Sequence, residues 1–379
     1  MSRIHWITGI IAAVFMGSVV PSVQSIDAAE SKPSLQIEWE KTLEAARKEG
    51  QVTVYISGGY EVILPEFEKE YPDIKVTTVT GRGHQIGPRI LSERRAGKHL
   101  ADLVSAGANP NYQQLYLAKV LDPIKPTLIL PEVVDQSKWY EGRHHYADPE
   151  GRYVFVYVGS AGYGGLRYNT KLVNPKEFSS YTDFLNPKWK VKIEARDIRE
   201  AGPGSTNMRF FYYHPDIGPG FIRRLFGGMD ITLFRDFRQG TDWLASGKFA
   251  ICFFCDVDLA RKQGLPVDSF GPGIFKEGGE LSHQFGTLVL MNQAPHPNAA
   301  RVLINWFLSP KAQLSLQRKL AHSESPLDSL RVDIPKDDVP LDRRRMAGVK
   351  YFDASRPEVI DMTAIYKLVN EALKETGKK

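Results

Sequence analysis

Cysteine and long apolar runs are the scarcest features of this chain. It has two cysteines in 379 residues. Beyond residue 20 no segment reaches the ~20 apolar residues that a membrane helix needs, so we do not expect an integral membrane protein. A surplus of one charge is also missing, because 49 basic residues are interspersed with 44 acidic ones. Without a basic stripe that carries aromatics we do not expect nucleic-acid binding, while the net charge of +5 mildly favours anionic ligands.

Common catalytic and nucleotide-binding motifs are absent as well. The sequence has neither a P-loop nor an H-E-x-x-H pair. Residues 158–162 lack the first glycine of a nucleophile elbow, and Gly-Arg-Gly at 81–83 is not followed by the third glycine of a dinucleotide-binding turn. We therefore expect a protein that captures a small molecule rather than an enzyme, and we expect no cofactor.

The beginning of the chain has the pattern of an export signal. Arg3 precedes an apolar run over 7–20, and small residues near positions 25 and 29 offer cleavage sites. No cysteine lies near these sites, so a lipid anchor is not expected. We predict that residues 1–29 are a signal peptide and that the mature protein is periplasmic.

Helical and strand patterns alternate from Trp39 to Gly107. Strand segments rich in β-branched residues follow amphipathic segments and end at glycine or serine turns. This alternation predicts an α/β fold with parallel strands and right-handed crossovers, whose ligands bind beyond the carboxyl ends of the strands. The predicted segments are helices at 39–49, 61–70 and 88–96 and strands at 52–56, 74–79 and 101–105.

The later chain continues in the same way. About 350 residues remain after the signal, which predicts two lobes because single cores stop growing near ~250–300 residues. Further segments are predicted as strands at 153–158, 191–193, 249–254 and 287–291 and as helices at 110–120, 298–308, 310–320 and 361–374, with a helix or turn at 181–189.

The order of several short stretches resembles a known family. In this order the chain is similar to the iron(III)-type extracellular solute-binding proteins, the periplasmic receptors of ATP-binding-cassette (ABC) importers. Each stretch is weak alone, but together they span nearly the whole mature chain. They are 50–55, 67–76, 101–104, 148–152, 167–169, 185–190, 264–267 and 294–313.

This resemblance implies the two-lobed type II periplasmic binding protein fold. Each lobe would be a mainly parallel sheet flanked by helices, with the ligand in the cleft between the lobes. The implied division gives lobe 1 residues 30–155 and 270–325 and lobe 2 residues 156–269. Residues 326–379 would form a C-terminal helical segment that packs mainly on lobe 2.

Ferric members of the family bind the metal through two adjacent tyrosines just before the stretch matched here by 264–267. This chain has Cys-Phe-Phe-Cys-Asp at 252–256 instead. Ferric iron prefers oxygen ligands, which phenylalanine does not supply. Two other pairs are poor substitutes. Tyr212 and Tyr213 fall at a predicted helix end, where neighbours diverge by about 100°, and the adjacent pair 144–145, His-His, is expected in a solvated surface turn.

Cys252 and Cys255 form the C-x-x-C spacing of redox pairs. They fall in a predicted strand, where side chains three positions apart point to opposite faces and do not bridge easily. We therefore do not expect a redox role. Buried packing and a strained local disulfide both remain open.

Candidate ligand contacts lie in the turns after the predicted strands. Backbone amides at helix amino ends attract anions, an arginine can clamp a carboxylate or phosphate, and Tyr60 can supply an aromatic wall. The predicted ligand-binding residues are Ser57, Gly58, Gly59, Tyr60, Arg82, His84, Gly204, Ser205, Thr206 and Asp256.

We predict a monomeric periplasmic substrate-binding protein that captures a small anionic organic solute. It would deliver this solute to an inner-membrane ABC permease that works with its ATPase. Three alternatives stay open: a ferric-iron receptor of the same importer class, a secreted enzyme on the same scaffold, and a sensor that signals to a membrane kinase.

Overall fold

The computed structural model describes residues 1, 32–81, 83–199, 204–323 and 326–377. The predicted signal peptide, except for Met1, and the candidate residue Arg82 lie outside the described residues. The helices are α1 (Lys32–Glu49), α2 (Leu64–Glu70), α3 (Gly83–Arg95), α4 (Pro131–Val134), α5 (Ser205–Tyr213), α6 (Gly218–Gly228), α7 (Phe237–Ala245), α8 (Asp258–Lys262), α9 (Pro297–Leu308), α10 (Pro310–Leu320) and α11 (Thr363–Glu375).

The strands are short and come from all parts of the described chain. They are β1 (Gln51–Ile56), β2 (Lys75–Thr80), β3 (Leu103–Ala106), β4 (Leu121–Asp122), β5 (His145–Tyr146), β6 (Phe155–Val156), β7 (Ser160–Gly162), β8 (Leu166–Asn169), β9 (Ile193–Arg196), β10 (Thr232–Phe234), β11 (Ile251–Phe253), β12 (Val267–Ser269), β13 (Gly279–Ser282), β14 (Thr287–Met291) and β15 (Tyr351–Asp353).

The first sheet has the order β2-β1-β3-β14-β6-β5, and β4 also pairs with β14. Strands β1, β2 and β3 are parallel, as the alternation of helices and strands predicts. Strand β14 returns from later in the chain and runs antiparallel to β3. Helix α1 ends before Gly50, whose positive φ of 70° and bond to the Ala46 carbonyl form the C-terminal cap that leads into β1.

The second sheet has the order β10-β9-β11-β8-β12, and a small third sheet has the order β15-β13-β7. Strand β9 is parallel to β10 and β11, whereas β8 runs antiparallel to both of its neighbours. Parallel pairing therefore holds where consecutive strands alternate with helices. Of the strands that return later in the chain, β14 pairs antiparallel with β3 and β15 pairs parallel with β13. The α/β class with sheets flanked by helices is confirmed.

Most buried hydrophobic residues form two large cores. Buried residues between 46 and 158 and between 288 and 330 form the first core. The second core takes its residues from 161–275 and 354–373, includes residues of α11 and has Tyr351 and Phe352 of the third sheet packed against it. A smaller separate cluster between 234 and 267 contains both cysteines. The chain therefore passes between the cores three times. The lobe boundaries implied by the resemblance stay a prediction, because a core identifies only the residues that pack together.

The crossing chains are tightly packed at Gly286. Its carbonyl accepts hydrogen bonds from the backbone amides of Tyr157, at 2.9 Å, and Val158, at 3.4 Å. A Cβ atom at this position would overlap the fully buried side chain of Val158 and stand 3.0 Å from the His283 carbonyl oxygen.

None of the described helices combines the length and apolar character that a bilayer span requires.

We expect Gly286→Ala to lower the free energy of unfolding by about 1–3 kcal/mol, because the new methyl group must displace a β-branched side chain and backbone. The matched control is Gly220→Ala in α6, where a Cβ would meet nothing within 4 Å. That control should be neutral or stabilising by up to about 1 kcal/mol. Urea unfolding midpoints check both, and equal midpoints for the two variants would contradict the prediction.

Candidate functional site

A cavity of about 480 Å³ lies where the two cores meet. One wall comes from the strands and turns of the second core, and the other includes Gln284 and Phe285, which pack toward the first core. The residues that line it are Gly162, Tyr163, Gly165, Arg167, Gly204, Asn207, Phe237, Phe254, Cys255, Asp256, Asp258, Phe270, Glu280, Ser282, Gln284, Phe285, Asp342 and Arg343.

Arg167 lines this cavity from inside the second sheet. It lies on β8, between Cys252 of β11 and Ser269 of β12. Burial lowers the pKa of its guanidinium, and the nearby positive charge of Arg343 lowers it further. One Nη1 donor is used by the carbonyl of Leu166 at 2.9 Å, while the buried Nε has no hydrogen-bond partner among the described residues. Two close guanidinium groups with unused donors are suited to bind an anion.

Another arginine, Arg261, forms salt bridges with two of the carboxylates that line the cavity, Asp258 and Asp342. Arg261 lies 3.4 Å from Asp258, 3.3 Å from Asp268 and 3.8 Å from Asp342. Arg343 approaches Asp258 only loosely, at 3.7 Å. Arg167 forms no salt bridge within the described part of the chain. Asp256, Asp258 and Asp342 act on the charge of Arg167 without forming a salt bridge to it, so its unused donors are available to a ligand.

The amino end of α5 faces the same cavity. Gly204 precedes this helix with a φ of 105°, a left-handed conformation that favours glycine. In the first turn, Asn207 donates a hydrogen bond from Nδ2 to Glu280 on β13, and the second oxygen of Glu280 accepts from the Gly164 amide at 2.9 Å. Burial raises the pKa of Glu280. This carboxyl group thus fixes the helix end, with its partial positive charge, against the crossing strand.

Aromatic rings supply the apolar part of the cavity. Phe237, Phe254, Phe270 and Phe285 line it, together with Tyr163. The hydroxyl of Tyr163 lies 3.0 Å from the hydroxyl of Tyr351, so it is already occupied. A ligand with both an anionic group and an apolar body fits this combination of surfaces.

Only two of the described candidate residues line the cavity, Gly204 and Asp256. Tyr60 is fully buried, and its ring packs edge-on against Phe285 at 6.1 Å rather than forming a cleft wall. Its hydroxyl donates to Gln284 at 3.3 Å. Gly58 lies directly behind Phe285, where a Cβ would overlap the ring. This loop supports the cavity wall from behind.

The other candidates are distributed around this region. Ser57 is buried and its amide donates to the Ser105 carbonyl at 3.0 Å, while the nearest atom to a Cβ on Gly59 would belong to Leu320. His84 lies in the first turn of α3, and Ser205 and Thr206 begin α5. Arg82 lies outside the described residues. Ligand contact by these residues stays a prediction.

Sequence reasoning missed the two arginines of the cavity. Arg167 stands between the buried residues Leu166 and Tyr168, and a charged residue inside an apolar strand is a usable signal. Arg343 gives no such signal, because it lies in the charged stretch 335–345, which is typical of a solvated linker. The position of Arg343 beside the cavity depends on the path of the chain where it crosses between the cores for the third time.

Of the two outcomes left open for the cysteines, the structure has the local disulfide. Cys252 and Cys255 are joined by a disulfide with their Cα atoms 5.9 Å apart, although a regular strand would separate the side chains. Strand β11 ends at Phe253, and Phe254 has a φ of 71°, so the chain turns and returns Cys255 to its partner. Next to this bridge, burial raises the pKa of Glu194 to about 9.

The expectation of a solvated turn at the histidine pair is wrong. His145 is buried and His144 half-buried, and their Nε2 atoms lie 2.8 Å and 2.9 Å from backbone carbonyl oxygens. Burial lowers the pKa of His144 to about 4. Tyr212 and Tyr213 lie on α5 with ring centroids 4.8 Å apart and do not line the cavity. Both pairs are explained by packing.

A polar cavity at the junction of two separately packed α/β cores is the arrangement of a protein that holds a small solute between two lobes. A profile of the family described as bacterial extracellular solute-binding protein matches residues 54–314. The chain belongs to this family. The solute-binding class predicted from the sequence is thereby confirmed.

Solved structures share the fold. Apo FutA2 from Synechocystis PCC6803 is 16% identical, with a TM-score of 0.62 over 87% of this chain and 99% of that one. Trichodesmium IdiA (FutA), in complex with iron and citrate, is 20% identical, with a TM-score of 0.58 over 86% and 98% of the two chains. The periplasmic binding protein AfuA from Actinobacillus pleuropneumoniae, with fructose-6-phosphate bound, is 16% identical, with a TM-score of 0.56 over 86% and 98%. The type II periplasmic binding protein fold is confirmed.

An ion pair secures the turn that carries Gln284 and Phe285 into the cavity. His283, which is 3% exposed, lies with Nε2 3.3 Å from Asp353 Oδ1 on β15. Burial alone would raise the pKa of Asp353, but the charge of His283, its hydrogen bond and the Ser355 amide outweigh this and lower the pKa to about 2. Because the ordinary value is 3.8, this stabilisation is complete above pH 3.8 and is lost as the pH falls toward 2.

We expect Asp353→Asn to lower the free energy of unfolding at pH 6 by on the order of 2 kcal/mol. The difference from the unmodified protein should shrink below pH 4, because its own Asp353 then becomes protonated in the unfolded chain. Urea midpoints between pH 3 and pH 6 check this. The exposed control Asp216→Asn should leave the midpoints unchanged, and a pH-independent deficit in Asp353→Asn would argue against the ion pair.

Proposed function

We propose that this chain is the periplasmic substrate-binding protein of an ABC importer and that its solute is a small organic anion anchored by Arg167. The observation that carries the proposal is the buried Nε of the half-buried Arg167, which has no partner among the described residues. Burying such a donor without a partner costs free energy, which a carboxylate, phosphate or sulfonate on the solute would recover.

The distribution of charge supports an anion over a cation. Arg261 already neutralises Asp258 and Asp342 in part, whereas burial and the positive charge of Arg343 lower the pKa of Arg167. An anion placed between the two guanidiniums would relieve their repulsion. The amino end of α5 adds a further favourable partial charge from the same side.

The size and lining of the cavity support an organic solute rather than a bare inorganic ion. Its volume of about 480 Å³ lies in the range of small-molecule sites, roughly 300–1,000 Å³. The phenylalanine rings would cover a carbon skeleton, while Ser282 and Gln284 would orient its polar groups. We infer a solute with one anionic end and an apolar or aromatic body.

Capture would follow from contacts with both lobes. Arg167 and Asn207 belong to the side of the second core, and Phe285 packs against the first. A solute that touches both sides favours the closed arrangement, since only contacts made differently in the two states can shift the equilibrium. The permease and its ATPase would then receive the closed form, and a monomer is sufficient for this role.

Ferric iron delivered as an organic acid complex is the second candidate. Three aspartates and Glu280 give the cavity oxygen donors, which ferric iron prefers, and the Trichodesmium protein holds iron together with citrate. Against it, residues 252–256 contain no phenolate donor. A secreted enzyme has less support, because the sulfur of Cys255, which could act as a nucleophile only as a free thiol, is held in a disulfide.

We expect an organic anion to raise the thermal midpoint of the mature chain in a panel of carboxylates, aromatic acids, phosphate esters, phosphonates, polyamines, ferric iron and ferric citrate. At ~100 times its dissociation constant, a ligand of the folded state adds about 2.7 kcal/mol. Arg167→Ala should weaken binding of that anion by about 10- to 100-fold, since a hydrogen bond to a charged group contributes about 1.5–3 kcal/mol.

The control is Arg224→Ala on the exposed face of α6, which should keep the affinity of the unmodified protein. Isothermal titration with the identified anion measures both variants. Equal affinity in Arg167→Ala would remove Arg167 from the site. A saturable shift with ferric iron in the absence of any organic anion would favour the iron receptor.

A further inference from the structure

The disulfide beside the cavity belongs to a buried cluster of three metal-ligating side chains. The ligand atoms of Glu194, Cys252 and Cys255 all lie within 4.8 Å of one another, and all three residues are buried. Glu194 and Cys252 are register neighbours on the parallel strands β9 and β11, so their side chains lie on the same face of the sheet. The turn at Phe254 brings Cys255 to the same place.

The carboxyl group of Glu194 is a second observation that points to a ligand. Glu194 is 0% exposed, and its Oε2 has no hydrogen-bond partner among the described residues. The sulfur of Cys255 lies 3.9 Å from its Oε1. A buried carboxyl without partners is costly unless something else satisfies it, and the neighbouring sulfurs do so poorly while they are joined to each other.

We propose that, when the disulfide is reduced, Cys252, Cys255 and Glu194 form a binding site for a thiophilic divalent cation such as Zn²⁺. Two sulfurs and one carboxylate oxygen are an ordinary ligand set for this ion, which binds in tetrahedral geometry and accepts water as its fourth ligand. Cys255 lines the cavity, which gives the ion and that water a path from solvent.

Reduction of the disulfide needs a reductant, and a dithiol is sufficient. The reductant supplies two electrons and two protons, the bond between Cys252 and Cys255 breaks to give two thiols, and the reductant becomes a disulfide. When the cation binds, both thiols and the neutral Glu194 carboxyl release their protons to solvent. The bound ion then replaces the disulfide as the link between β11 and the turn that carries Phe254 and Asp256 into the cavity.

The site borders the solute cavity through Cys255, but none of its three ligands is a proposed solute contact, so each proposal can fail without the other. The test uses the full mature chain, reduced with a phosphine without oxygen and titrated with Cd²⁺, whose bonds to thiolates absorb in the ultraviolet. We expect one equivalent bound per reduced chain and none per oxidised chain. Competition with Zn²⁺ should abolish the absorption.

Three variants define the ligands. Glu194→Gln should weaken Cd²⁺ binding by at least about tenfold, since loss of even a hydrogen-bond partner of a metal ligand costs that much. The double variant Cys252→Ser with Cys255→Ser should lose the thiolate absorption. Glu277→Gln, a buried carboxyl of the second core outside the cluster, should bind like the unmodified chain.

Circular dichroism of each reduced chain verifies that it is folded. The proposal is overturned if the disulfide resists reduction in the folded protein or if reduction unfolds the chain. It is also overturned if the reduced chain binds no Cd²⁺, or if Glu194→Gln binds as tightly as the unmodified protein.

Discussion

The buried carboxyl group of Glu280 connects the parts of this protein that would otherwise be independent. Glu280 lies on the strand that pairs with Ser160–Gly162 where the chain crosses between the cores. It accepts hydrogen bonds from the Gly164 amide and from Asn207. One side chain therefore ties the crossing strands to the amino end of α5. Both the orientation of that helix and the shape of the cavity depend on it, and a buried carboxyl of this kind persists only while its partners are in place.

The second organising feature is the imbalance of charge across the cavity. Two of the acidic residues there, Asp258 and Asp342, lie close to Arg261, whereas Arg167 is held inside the sheet without a salt bridge in the described part of the chain. Selection for stability alone would favour a carboxylate partner for Arg167. An unpaired Arg167 in an aromatic cavity lowers the stability of the empty protein. It also makes the binding of an anion more favourable, and such a difference between the empty and bound states can couple binding to closure.

The parts of the fold that depend on local sequence were predictable, and the parts that depend on long-range pairing were not. β-Branched runs bounded by glycines located the first three strands, and Ser309 with the proline after it located the start of α10, where the serine hydroxyl caps the Ala312 amide at 3.3 Å. Residues 110–116 form π-helical turns instead of the predicted α-helix. The third sheet and the position of Arg343 were invisible, because both arise where distant segments cross. The loop after β1 supports the cavity wall through Phe285, a role that the sequence did not predict, and its contact with ligand stays a prediction.

The interleaving of the two cores has a consequence for biogenesis. The first core needs residues up to 330, and the second needs helix α11, up to residue 373. A chain that emerges from its amino end through a translocation channel therefore cannot complete either core until nearly all of it has passed. With this topology neither core is complete before residue 330 is available, so the final packing of both cores comes late as the chain emerges.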